Sequence, residues 1–333
     1  MELKTELMDE HIHKITEKIS SKEMDAVLRI QSCALKTVHD FMYEKKILQL
    51  MPVMLSTITD PLCHSVYDAK IKYMDQELML TKSMILHKQI ALIPETRKAI
   101  YIISPNIRLE KECCRGSGRH LIEFSQIDFE FKDAKKEHIK DFMEDLMISV
   151  ITRVKEDCKE ELELLGRKLT IPKKPFVRIS TKDAHTKFGE EYETVLSEKA
   201  SEPFWLLDHE REFYDKEHEP TSDSEKGLEQ PDVPKEKSRV YLNYDLIYPE
   251  GFGEGLSGGE REHEYEKIIE RMIRAKTKPE HYPAYLELAK HGKLPRTAGG
   301  GLGVERLIRF LTGKKDITEV SLFAKKAGEK VVF

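Results

Sequence analysis

The sequence predicts an α+β fold, a single domain in which an antiparallel sheet is flanked by helices. Three observations lead there. Residues 104–131, SPNIRLEKECCRGSGRHLIEFSQIDFEF, read as a strand, a polar loop and a returning strand, the signature of an antiparallel pair. Residues 299–313, GGGLGVERLIRFLTG, read as a glycine-rich strand running into an apolar helix. Two long stretches, residues 14–46 and 136–167, each carry one apolar stripe at helical spacing and so need a sheet or another helix to cover it.

Length and composition set the outer bounds. A chain of 333 residues buries a large core, and one domain is favoured over two. Acidic residues number 60 and basic residues 55, a net charge of −5 that lacks the positive excess usual in nucleic-acid binders and so weakens, without excluding, an RNA partner. Five cysteines, two adjacent at Cys113 and Cys114, show neither a CxxC pair nor metal-ligand spacing and read as reduced thiols. No apolar run reaches the roughly 18 to 20 residues that span a bilayer. The charged start, MELKTELMDEHIHK, has no signal-peptide core. A soluble, cytoplasmic protein without a membrane partner is expected.

Taken in order, residues 14–46 form one helix with Val27, Ile30, Ala34, Val38 and Phe41 on its stripe. Residues 47–55, ILQLMPVML, read as a strand holding Pro52. Residues 56–62 carry turn residues, and Asp60 there reads equally as a turn or cap aspartate and as a ligand. Residues 77–92 begin as a short strand and continue as a helix bearing Lys88 and Gln89. Residues 136–167 repeat Ile139, Met143, Leu146, Val150, Val154 and Leu162 on one face, a scaffold helix. A strand from residue 173, a short helix over 182–198 capped near Thr181 or Asp183, and a strand over 202–208 with the only tryptophan, Trp205, come next.

Beyond Asp208 acidic residues outnumber basic ones about two to one and aliphatic side chains almost vanish, so residues 209–238 read as an acidic surface insertion. Its HEREF is not a zinc-protease HExxH, because Phe213 stands where the second histidine belongs. Residues 239–262, RVYLNYDLIYPEGFGEGLSGGERE, give a strand with Asp245, a glycine-rich corner with Glu254, and Arg261 before a helix. Two further helices, to residue 276 and around 285–291, precede the glycine strand. The glycine runs fit neither the Walker spacing nor a dinucleotide-binding βαβ unit.

The chemistry these residues suit is nucleotide binding. Arg108, Glu110, Arg119, His120 and Phe124 lie along the hairpin, and Arg306 opens the helix after the glycine strand. Arginines pair bidentately with phosphate oxygens, a carboxylate accepts from the adenine amino group, and an aromatic ring stacks on the base. Asp245 and Glu254 are suitable Mg²⁺ ligands, since a hard cation prefers oxygen and shares the substrate phosphates.

Together, IRLE with Arg108 and Glu110, the return RHLIEFSQID and GLGVER with Arg306 resemble motifs 2 and 3 of class II aminoacyl-tRNA synthetases in their aspartyl and asparaginyl version. The resemblance implies a class II synthetase-type catalytic domain over residues 1–333. The first helix and the strand with Pro52 would build a homodimer interface. It implies ATP as substrate, with Arg108 on the α-phosphate, Arg306, Arg119 and His120 at the far phosphates, and Phe124 on adenine. Arg108 and Arg306 would be catalytic, and Asp245 and Glu254 would hold Mg²⁺. Asp60 would meet the substrate ammonium. Ser83, Lys88, Ser257 and Arg261 fall at amino-acid-binding positions, although Lys82 and Ile85 replace two glutamines of the family pattern.

Two cations aimed at one pocket, Lys88 and Arg261, favour aspartate, because a neutral amide would leave buried charge unpaired at roughly 3 to 5 kcal/mol. No N-terminal anticodon-binding OB domain is read. The stand-alone core therefore resembles the archaeal asparagine synthetases related to these enzymes. That implies asparagine made from aspartate, ammonia and ATP through a β-aspartyl-adenylate, with AMP and pyrophosphate released and no tRNA partner. The alternatives are a tRNA-acting aspartyl/asparaginyl relative and a non-catalytic paralogue.

Overall fold

The computed structural model describes residues 12–62, 64–218 and 240–331. Helix formation in the first long stripe is interrupted: residues 12–19 are helical, and α1 (Lys22–Glu44) starts again after Ser21. The Ser21 hydroxyl accepts from the Met24 backbone N–H at 3.1 Å, so an extended serine caps the new helix and the expected single helix becomes two. Val27, Ile30, Ala34 and Val38 are fully buried. Met42 completes the stripe in place of Phe41, which is half-buried and packs edge-on to Phe142. The expected strand over 47–55 reduces to β1 (Leu48–Gln49) and β2 (Leu55–Ser56), because Pro52 between them has no N–H to give a ladder.

Two small sheets accompany the main one. In the first, β2 pairs with β4 (Gln76–Leu80), which pairs with β3 (Lys70–Tyr73); in the second, β9 (Glu217–His218) pairs with β10 (Val240–Tyr241). The main sheet has eight strands in the order β1, β5 (Ala99–Ile107), β6 (Glu123–Lys132), β13 (Thr297–Gly303), β12 (Gly253–Glu260), β11 (Asn243–Tyr248), β8 (Phe204–Leu207) and β7 (Val177–Ser180). The six central strands are antiparallel, as the hairpin predicts. Both outer pairs, β1 with β5 and β7 with β8, are parallel, so the sheet as a whole is mixed.

One face of the sheet carries α1, α3 (Lys136–Asp157), α4 (Lys159–Leu164) and α9 (Val304–Thr312), which close the main core over Phe129, Tyr244, Leu246 and Leu256. Trp205 is wholly buried there and donates its indole N–H to Glu144 Oε1 at 2.9 Å. Successive strand residues point to opposite faces, so Ile247 leaves that core and packs with Ala184 of α5 (Thr181–Phe188) and Tyr192 of α6 (Tyr192–Lys199). A further core joins α2 (Ile85–Ala91), α7 (Tyr265–Arg274) and α8 (Pro283–Lys290) around Phe213 and Tyr285.

Glycine is required where the central strands meet. A Cβ on Gly299 would stand 2.2 Å from the Phe129 carbonyl oxygen, and one on Gly258 would stand 2.4 Å from that of Gly299. This leaves the middle of the sheet bare of side chains, and a cleft opens there. Among the described residues no helix is long and apolar enough to cross a membrane.

Candidate active site

The cleft has a volume of about 320 Å³ and is walled by β6, β12 and β13, the starts of α2 and α9 and the segment before β9. Strands expose alternate residues to it, and the hairpin loop contributes the rest. At one end the groups are basic and aromatic. Arg108 lies over the Phe124 ring, 5.0 Å from its centroid, and its Nε donates to the Lys82 carbonyl at 3.1 Å. Arg306 meets the Glu254 carboxylate and the Glu254 carbonyl, each at 3.1 Å. Arg119 donates to Glu193 at 2.9 Å. His64 Nε2 lies 3.1 Å from both Glu110 carboxylate oxygens and holds that carboxyl below its usual range despite burial.

Charge at this end is tuned by the arginines. Burial opposes ionisation of Glu254, but Arg306, Arg211, Arg119 and Arg108 outweigh it and hold its pKa at about 2. Burial, with Arg306 next in importance, pushes His120 down to about 4, so its imidazole is neutral at pH 7. A phosphate chain entering here meets fixed cations and a flat ring. That is the arrangement a nucleotide needs.

The other end is crowded with acid–base pairs. Lys88 is fully buried and donates to Asp128 at 2.7 Å and to the Gly300 carbonyl at 2.8 Å. Arg261 donates to Asp215 at 3.0 Å, Glu130 at 3.2 Å and the Gly299 carbonyl at 3.0 Å. Asp60 accepts from the Tyr214 hydroxyl at 3.1 Å and from the Leu62 N–H at 2.9 Å. Glu212 is pushed up to about 7 by burial and by Asp60 and Asp215, against the pull of Arg211. Ser83 and Ser257 also face the cleft, Ser83 accepting from the Ile85 N–H at 3.2 Å and Ser257 from Arg211.

Of the residues singled out from sequence, Asp60, Ser83, Lys88, Ser257 and Arg261 line the acidic end. Arg108, Glu110, Arg119, His120, Phe124, Glu254 and Arg306 line the basic one. Asp245 does not line it: Arg211 covers its carboxylate, and His209 approaches at 3.1 Å. One oxygen, Asp245 Oδ1, is buried without a partner, which leaves a carboxylate lone pair free beside the cleft.

The surface-insertion reading of 209–238 fails over its first ten residues. Phe213, Tyr214 and Asp215 are buried, and Arg211, Glu212, Tyr214 and Asp215 form a wall of the cleft. Arg211 pairs with Asp245, and Asp215 with Arg261 and with the Asn243 amide, all far along the chain, so local composition mistook paired charge for solvated charge. The Phe213–Tyr214 pair inside an acidic run was the available signal. Residues 219–238 lie outside the described residues. The charge argument for aspartate fails as well, because Lys88 and Arg261 each already have a carboxylate partner.

Comparison with known proteins bears on the rest. The family described as tRNA synthetases class II (D, K and N) matches residues 8–327. The asparagine–tRNA ligase of Thermococcus kodakarensis is 27% identical over 337 residues, covering 95% of this chain and 71% of its own. That of Pelotomaculum thermopropionicum is 31% identical over 330 residues, covering 92% and 70%. Among solved structures, asparaginyl-tRNA synthetase from Pyrococcus horikoshii complexed with asparaginyl-adenylate superposes with a TM-score of 0.80 at 25% identity, over 94% of this chain and 71% of that one. These similarities overturn two expectations, the ammonia-dependent asparagine synthetase and the absence of a tRNA partner. These two relatives are named asparagine–tRNA ligases, and this solved structure is an asparaginyl-tRNA synthetase.

Proposed function

Because the chain belongs to the class II tRNA synthetases of the D, K and N group, we propose that it is a ligase that activates asparagine with ATP and passes the asparaginyl group to tRNA. The charge balance at the acidic end carries the choice of amino acid. Asp60, Asp128, Glu212 and Asp215 line it against Lys88, Arg211 and Arg261, with Glu130 and Asp245 directly behind. An acid-rich pocket attracts an α-ammonium and leaves no unclaimed cation for a second carboxylate. Asparagine, with one carboxylate and a neutral amide, fits that balance.

The reaction follows from the two ends of one cleft. Phe124 stacks on adenine and Glu110 accepts from its amino group, so the base is fixed. Arg108 and Arg306 hold the α-phosphate and the chain beyond it, with Arg119 and His120 farther out. The asparagine carboxylate, held by its ammonium at Asp60 and its side chain between Ser257 and Arg261, then attacks the α-phosphorus. One P–O bond forms as the bond to pyrophosphate breaks, and fixed guanidinium groups stabilise the charge that moves outward. A ribose hydroxyl at the tRNA end next attacks the acyl carbon and AMP leaves. Glu254 and the free oxygen of Asp245 suit Mg²⁺, which when bound neutralises phosphate charge.

The test is ATP–pyrophosphate exchange and tRNA charging with asparagine, with aspartate, and with aspartate plus ammonium. Exchange that needs asparagine, and asparaginyl-tRNA as product, are expected. Exchange driven by aspartate instead, or free asparagine appearing without tRNA, sinks the reading.

A further inference from the structure

We propose that Glu193, on α6, is a positioning residue for ATP: it fixes Arg119 at the far-phosphate end of the cleft. The proposal rests on the ATP-activating reading above. Glu193 Oε1 accepts from Arg119 Nη1 at 2.9 Å and from the Glu254 backbone N–H at 3.3 Å. Arg306 donates to the carbonyl of the same Glu254 at 3.1 Å. The backbone at the start of β12 is therefore held from both sides, by the acid behind Arg119 on one and by Arg306 on the other. Two phosphate-directed arginines on separate elements, the hairpin loop and α9, are thus referenced to one residue.

The order of the pair decides what it does. Arg119 lines the cleft and Glu193 does not, so the carboxylate stands behind the guanidinium. The backbone N–H bond to Glu254 keeps the carboxylate there. A guanidinium anchored at Nη1 still offers its other N–H groups to phosphate oxygens. Without the anchor, a long side chain that is 32% exposed would sample solvent and lose rotamer freedom on each binding event.

A second observation points the same way. Gly253 has φ +71°, and a Cβ there would stand 2.7 Å from Arg119 Nη1 and 3.3 Å from Glu193 Oε1. The turn into β12 thus leaves room for this one pair. A residue with a side chain would wedge it apart.

The experiment measures ATP and AMP binding by calorimetry for the wild-type protein, E193A, E193Q, R119A and R119A/E193A, with melting curves to check folding. AMP lacks the far phosphates, so it reports the rest of the site. E193A should weaken ATP binding about tenfold, the scale of one charge-assisted pair half open to water, and leave AMP binding unchanged. E193Q, which keeps an acceptor for both donors, should recover most of the loss, and the double variant should match R119A. ATP binding that is unchanged or tighter in E193A overturns the proposal, as does an equal loss for ATP and AMP. If E193A does not fold, E193D, whose shorter side chain draws the acceptor away from both donors, carries the comparison, and ATP affinity in E193D equal to that of the wild type overturns the proposal. Wild-type protein that binds no ATP would overturn the reading beneath it, and the proposal with it.

Discussion

Glu305, the residue before Arg306, holds both carboxylate oxygens 3.0 Å from the Ser125 N–H in a part-buried setting at the cleft wall. Burial raises its pKa from about 4.5 to about 7, against that hydrogen bond. The folded state therefore takes up its proton more readily than the unfolded one, and its contribution to stability is full below pH 4.5 and is lost as pH rises through about 7. Glu305→Gln keeps an acceptor and removes the titration. Melting temperatures at pH 5 and pH 8 should fall less for the variant than for the wild type; an equal fall would show that Glu305 does not titrate in this range. His120, held near 4, works in the opposite direction, but it is common to both proteins and cancels in the difference. GLGVER was legible in sequence as a motif, and so was its arginine. The hydrogen bond to its glutamate was not, because the donor that meets it lies 180 residues earlier. Glu193 was invisible for the same reason: its partner is 74 residues away, and a glutamate on a charged helix looks solvated.

At the scale of the element, periodic stretches were readable and paired charges were not. Ile139, Met143, Leu146, Val150 and Val154 repeat at helical spacing and are all buried along α3. Nothing in the stripe over residues 14–46 required a break, yet Ser21 inserts one by accepting from Met24 N–H. Ser21→Ala should cost about 1 kcal/mol of stability by removing that cap, read as a lower urea midpoint at an unchanged slope. No change in midpoint would mean that packing of α1 alone sets the break. The segment from His209 to His218 shows the converse: its order comes from pairs made across the sheet, which no window of sequence contains.

For the molecule as a whole, the glycine strand and hairpin predicted the antiparallel centre, but the parallel margins came from pairings between distant segments. One margin bears on assembly. Near β1 the side chains of Tyr43 and Met51 are each 83% exposed, with Leu48 and Leu55 about half exposed beside an open strand edge. An apolar edge of this kind suits a second copy of the chain, the homodimer that the resemblance in sequence implies, and we propose that the chain pairs there. Light scattering should find a dimer, and Met51→Asp with Leu55→Asp should shift it toward monomer. A wild-type protein that stays monomeric at every concentration tested would refute this.

The strand order has a consequence for how the protein is made. Thr297–Gly303 is the last strand in the sequence, yet it lies between residues 123–132 and 253–260, at the middle of the sheet. On a ribosome the strands that flank it on both sides emerge before it does. Until residue 303 leaves the exit tunnel, neither the Lys88–Gly300 contact nor the floor of the cleft exists. An unfinished copy therefore carries Arg108 and Arg119 but lacks Arg306 and any site in which to use them.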